Sequence, residues 1–152
     1  MNKTTPTIQN RKAYYNYFIL ESLEAGIVLS GCEIKSIRQG QANLQDSFAR
    51  IEKLEVYLYG MHISSYDHGN RYNLDPMRIR KLLLNRKEIF YLTSRVQEKG
   101  LTLIPVQAYF KNGRVKIQLA LAKGKTHGDK REKLKEKESN LYVQRALKFK
   151  NQ

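Results

Sequence analysis

Apolar residues in the first third of the chain switch between two spacings. Residues 14–20 (YYNYFIL) are aromatic and β-branched and predict a strand, which Ala25-Gly26 turns into a second short strand at 27–29. Ser30 then stands three residues before Glu33, Leu29 and Ile34 occupy the staple positions, and Gly40 supplies a stop, so a helix is predicted at 31–39. On that helix Ile34 and Ile37 share one face, leaving Lys35, Ser36 and Arg38 to point elsewhere.

Alternating runs at 47–52 and 55–60 predict a hairpin turned by Lys53-Leu54, with 61–66 continuing the sheet and 67–76 (DHGNRYNLDP) a loop. Asn85 and Glu88 repeat the capping-box spacing, Leu84 and Ile89 the staple, and Ile89, Leu92 and Val96 recur on one face before Gly100. Strands at 101–111 and 114–122 flank Asn112-Gly113, a pair suited to a two-residue type I′ turn, which sets Phe110 against Val115 and Tyr109 against Lys116. Alternation then points Ile104, Val106, Ala108, Phe110, Val115, Ile117, Leu119 and Leu121 inward, and Gln107, Tyr109, Lys116 and Gln118 outward. The expected fold is mainly β: a small antiparallel OB-like β-barrel with about two to three flanking helices and a basic C-terminal tail. Its divisions are a flexible arm at 1–12, the barrel at 13–122 and the tail at 123–152.

Charge sharpens this picture. The 152 residues hold 28 Lys plus Arg against 14 Asp plus Glu, a net charge of +14; the tail contributes +6 and the remainder +8, so both parts call for a polyanion. Apolar runs are too short for a membrane span, the polar start lacks the apolar stretch of a secretory signal, and the lone Cys32 fits a reducing cytoplasm. His62, His68 and His127 are scattered, Asp67-His68 sits in a turn-forming loop, and no Gly-rich phosphate cradle is present. No metal, cofactor or enzymatic activity is expected.

Basic and aromatic residues are better organised. Tyr14, Tyr15, Tyr17, Tyr57 and Tyr59 fall on predicted strands, where they either stack on bases or fill the barrel. Arg78, Arg80 and Lys81 precede Leu82 to Leu84. Lys116 is an outward cation in an apolar strand, fitting either an RNA contact or edge protection. In the tail, Asp129 and Glu132 have capping-box spacing and Asp129 and Lys133 an i,i+4 pairing. Its apolar residues Leu134, Leu141, Tyr142, Val143, Leu147 and Phe149 build no continuous face, so the tail is expected to be disordered when free and helical against RNA.

The motifs NRKA (10–13), YFI (17–19), EAGIVLSGCEIKSIRQG (24–40), ANLQDSFARI (42–51), MHIS (61–64), DPMRIRKLLLN (75–85), EKGLTLIP (98–105), YFKNGRVK (109–116), LAKGK (121–125) and DKRE (129–132) closely resemble one family. It is the SmpB family, the tmRNA-binding (SsrA-binding) proteins of bacterial trans-translation. The resemblance implies a barrel that binds the tRNA-like domain of tmRNA, acting as a monomer on the RNA. It also implies a tail that enters the small-subunit decoding region and message channel of stalled ribosomes.

RNA-binding positions implied by the resemblance are Asn10, Tyr17, Glu24, Leu83, Asn85 and Lys116; Leu83 fits a core position equally well. Lys35, Arg38, Arg78, Arg80 and Lys81 are added from charge and expected exposure. Ribosome-contacting tail positions implied are Lys123, Gly124, Lys125, Asp129, Lys130 and Arg131. The pattern departs at Gly128, where many members carry His or Tyr, which leaves open whether His127 takes over. A general RNA-binding or ribosome-associated structural protein is the alternative, and an RNA-processing nuclease a third.

Overall fold

The computed structural model describes residues 5–69, 72–98 and 100–150, without the side chains of Phe149 and Lys150. Residues 1–4 of the predicted arm, Asn70 and Arg71 of the predicted loop, Lys99 before the helix stop, and tail residues 151–152 lie outside it.

The longest hairpin joins β8 (Leu101–Lys111) to β9 (Arg114–Gly124). Asn112 and Gly113 have φ of 52° and 76°, the left-handed pair a type I′ turn requires, and Phe110 faces Val115 and Tyr109 faces Lys116 as predicted. β9 pairs onward with β2 (Tyr17–Ile27), β2 with β7 (Arg80–Leu83), β7 with β5 (Glu55–Tyr59), and β5 with β4 (Phe48–Glu52). Ala49 of β4 returns to Leu103 of β8, so six antiparallel strands close an OB-like ring. That seam is one residue pair wide, so the ring is OB-like without being a fully hydrogen-bonded barrel.

Helices α2 (Gly31–Arg38) and α3 (Arg86–Val96) begin where predicted, each with a complete capping box, at Ser30/Glu33 and Asn85/Glu88. Ile37 of α2 and Leu92 of α3 are fully buried in the ring's core with Leu58, Leu82, Leu103 and Ile117. Burying each such side chain contributes about 1.5–3 kcal/mol. α3 packs where β8 starts and α2 where it ends. The exposed helix α4 (His127–Lys150) follows β9.

Several expectations are corrected. Residues 11–16 form helix α1 (Arg11–Asn16), so Tyr14 and Tyr15 are helical and exposed; Ala13 anchors α1 on the sheet. In place of an arm to residue 12, Ile8–Gln9 forms β1, paired to Ala108 and Gln107 of β8. Ala25-Gly26 is no turn: β2 runs straight through, because Ala25 is buried in the core and Gly26 pairs on both sides.

Ile104 and Val106 do not face the ring interior. A bulge between Pro105 and Gln107 makes Val106 an extra residue and shifts the alternation. Both side chains join Ala13, Ala120 and Ala122 in a second small core on the outer sheet face, under α1. Residues 61–66 do not extend the ring: β6 (His62–Ile63) pairs with β3 (Ala42–Asn43) in a separate two-stranded sheet. Ser36, expected to point away from the core, is buried.

Candidate nucleic-acid interface

Where α1 does not cover it, the outer face of β7, β2, β9 and β8 is open, and the register places Leu83, Gly26, Lys116 and Tyr109 in one row across it. Gly26 lets the strands approach closely: a Cβ there would lie 3.2 Å from the Cβ of Leu83, a tight contact, and the Leu83 side chain lies over the glycine yet stays 51% exposed. Leu83 is therefore a surface residue. Lys116 is half-buried and has no ion-pair partner among the described residues.

Glu24 lies two residues along β2 from Gly26. Tyr109 donates its hydroxyl to Glu24, and the Lys111 ammonium lies 3.4 Å from both carboxylate oxygens. The Tyr109 hydroxyl foremost, with Lys111 and Lys116, holds the Glu24 carboxyl below its ordinary value. Burial and Glu24 push the Tyr109 phenol up to about 12, so it remains a donor at any physiological pH. Asn85 follows β7, but its side chain accepts from the Glu88 N–H at 3.0 Å as the α3 cap.

Asn10 and Tyr17 belong to a different place. They line a cleft of about 250 Å³ with Lys12, Asn16, Asp46 and Phe48. Asn10 is buried; its amide nitrogen donates to the Pro105 carbonyl at 2.8 Å, while its Oδ1 has no partner among the described residues. Tyr17 opens β2 opposite Gly124, so this cleft adjoins the tail root.

At that root, Lys123 pairs with Phe18, and the Lys125 N–H donates to the Asn16 carbonyl at 2.8 Å. The ammonium groups of Lys125 and Lys133 both donate to the Tyr14 carbonyl, at 3.1 and 3.0 Å, near the C-terminal end of α1. Lys125 lies over the Phe18 ring and Lys130 over Tyr15. Desolvation, then the neighbouring Lys133, lowers the Lys125 pKa. The predicted Asp129/Glu132 box is corrected: Thr126 caps α4 by accepting the Asp129 N–H, and Asp129 accepts the Thr126 N–H in return. That return bond, first among several causes, holds the Asp129 carboxyl below its ordinary range. Gly124, Gly128 and Arg131 complete this stretch, and no side chain described beyond Arg131 is buried.

Charge-based assignments divide. Lys35 and Arg38 are exposed on α2, over the rings of Tyr66 and Phe110 respectively. Lys81 is half-exposed and paired to Glu55 at 3.1 Å. Arg80 is fully buried and is no surface cation: it donates to Glu33, to the Met61 carbonyl at 2.7 Å and to the Pro76 carbonyl at 3.0 Å. Arg78 is partly buried and bonded to the same Glu33. Tyr57 and Tyr59 are outward on β5, held by Glu55 and Glu52, rather than in the core. Ser22, Lys111 and Arg114 also belong to the open face and were not foreseen as site residues; the Asn112-Gly113 register was the signal that could have placed the last two.

An OB-like ring with an open basic face of hydrogen-bonding side chains, carrying a solvent-exposed basic helix, defines an RNA-binding protein. The chain belongs to the SmpB protein family, whose model matches residues 7–149. It is 55% identical over 139 residues to the SsrA-binding protein of Geobacillus kaustophilus, covering 91% of this chain and 90% of that one. Identity to the SsrA-binding protein of Anoxybacillus flavithermus is 56% over the same length and shares, and to that of Acetivibrio thermocellus 54% over 140 residues, 92% and 91% of the two chains. A chain of the solved complex described as "tmRNA-SmpB: a journey to the center of the bacterial ribosome" superposes with a TM-score of 0.69 at 45% identity, covering 84% of this chain and 93% of that chain.

Proposed function

We propose that this protein is a tmRNA-binding adaptor of trans-translation, acting in the cytoplasm without catalysis of its own. The barrel binds the tRNA-like domain through the open face bearing Glu24, Leu83 and Lys116, with Lys35 and Arg38 adding phosphate contacts. Asn10 and Tyr17 contribute from the cleft beside the tail root. The tail, through Lys123, Gly124, Lys125, Asp129, Lys130 and Arg131, enters the decoding region of a stalled ribosome, where the exposed face of α4 packs against RNA.

The observation that carries this reading is the extent of the likeness to SsrA-binding proteins, which runs through both barrel and tail. A general basic RNA binder would need no such likeness in its exposed tail. Competition at fixed salt between the tRNA-like domain of tmRNA and bulk tRNA tests it. A preference of at least about 10³-fold is expected, at the lower end of specific over non-specific binding. Indifference between the two, with a steep salt slope, returns the protein to the general class.

A further inference from the structure

Among the positions predicted to bind RNA, Glu24 lines a groove on the open sheet face with hydrogen-bonding side chains of all three of its strands. Ser22 and Glu24 of β2, Gln107 and Tyr109 of β8, and Gln118 of β9 line an open groove of about 340 Å³, room for one nucleobase laid on the sheet. Gln118 is anchored, its amide donating to Ser22 at 3.1 Å. The Glu24 carboxylate is anchored too, by the Tyr109 hydroxyl on one oxygen and Lys111 beside both. Each carboxylate oxygen still has lone pairs to offer.

An ionised carboxylate only accepts, so it selects a ligand that presents donors. The Lys111 ammonium next to it selects an acceptor adjoining those donors. Among RNA bases, guanine alone presents two neighbouring donors, N1–H and N2–H, beside an acceptor, O6, on its Watson–Crick edge. Adenine and cytosine each offer one amino group beside acceptors, and uracil one N–H between two carbonyls. We propose that this groove is a single-nucleotide pocket reading the Watson–Crick edge of an unpaired guanine. Glu24 accepts the two N–H donors, Lys111 donates to O6, and Tyr109 is the positioning residue that fixes the carboxylate. The inference rests on the RNA-adaptor reading and adds base selectivity to it.

The titratable and charged groups facing Glu24 are Tyr109 and Lys111 from β8 and Arg114 and Lys116 from β9. Reading requires the carboxylate, so the guanine preference is lost only as pH falls below the ordinary value of 4.5. Removing the Tyr109 hydroxyl removes the largest influence holding that carboxyl down, and the loss then sets in at higher pH.

Uridine heptamers carrying one central guanine, inosine or adenine provide the probe, titrated at fixed salt against the full chain, Glu24→Gln and Tyr109→Phe. For the unaltered chain, guanine is expected to bind about tenfold more tightly than adenine, with inosine, which lacks the N2 amino group, between them. Glu24→Gln should abolish the preference, and Tyr109→Phe should weaken it and move its acid loss upward. Equal binding of guanine and adenine, inosine matching guanine, or a preference that survives Glu24→Gln overturns the pocket. An unchanged pH profile in Tyr109→Phe overturns the positioning role. Binding of the tRNA-like domain by the same unaltered protein is measured in parallel. If that holds while the heptamers show no preference, the pocket fails alone; if that too is no better than bulk tRNA, the adaptor reading fails.

Discussion

Lys116 and Arg80 are both strand cations beside apolar residues, yet their surroundings give them opposite work. Lys116 stands in an open row with Leu83 and Tyr109, and no carboxylate pairs with it among the described residues. Lys116→Ala should weaken binding of the tRNA-like domain by about 1–3 kcal/mol, the scale of one charged contact, with Tm nearly unchanged. Arg80 is sealed among Glu33 and two backbone carbonyls. Arg80→Met should instead cost about 3–5 kcal/mol of stability by stripping a buried carboxylate of a partner, while the folded fraction keeps its RNA affinity. Thermal melts alongside affinity titrations of both variants check the contrast, and a normal melt for Arg80→Met would show that Arg78 alone satisfies Glu33. Sequence spacing could not separate these two cations. Lys116 was placed by an Asn-Gly turn a few residues away, whereas the burial of Arg80 depends on a carboxylate 47 positions earlier in the chain.

That carboxylate joins α2 to β7. Glu33 caps α2 through the Ser30 N–H and receives Arg78 and Arg80 from the strand and its approach. The helix bearing Lys35 and Arg38 is thereby fixed to the ring. Burial pushes the Glu33 carboxyl up, but the Ser30 N–H and the two guanidinium groups outweigh it and hold the carboxyl below its ordinary 4.5. A folded-state pKa below the unfolded one means stability that is fully present above about pH 4.5 and is lost as pH falls through the folded value. Glu33→Gln keeps a cap-competent side chain, so it isolates the charge. Its destabilisation at neutral pH should shrink as pH is lowered from 5 towards 3, roughly over the range in which a depressed carboxylate titrates. Urea titrations at several pH values would show this, and a deficit independent of pH would mean that the ion pairs contribute nothing. Elements α2, α3 and the β8–β9 hairpin were legible because caps and turns are local chemistry. Helix α1, the bulge at Pro105 and Gln107, and the passage of β2 through Gly26 were not: each is imposed by packing against β8, β9 or β7.

Viewed whole, the molecule is two basic bodies meeting at a small joint. Beyond Arg131 no described side chain of α4 is buried, and α4 reaches back to the end of α1 through Lys130 over the Tyr15 ring and Lys133 donating to the Tyr14 carbonyl. A 24-residue helix without a packed face draws little stability from the barrel, and the barrel's closed core draws none from the helix. Removing everything after Lys125 should therefore leave the fold intact. It should also leave affinity for the tRNA-like domain within about threefold, with a salt slope shallower only by whatever phosphate contacts the tail makes. Peptide tagging on ribosomes stalled without a stop codon should be abolished, because the part proposed to occupy the message channel is gone. The decisive comparison is between the two losses in one preparation. If affinity falls as far as tagging does, Lys130 and Lys133 belong to the RNA-binding surface itself, and the division of labour between barrel and tail is wrong.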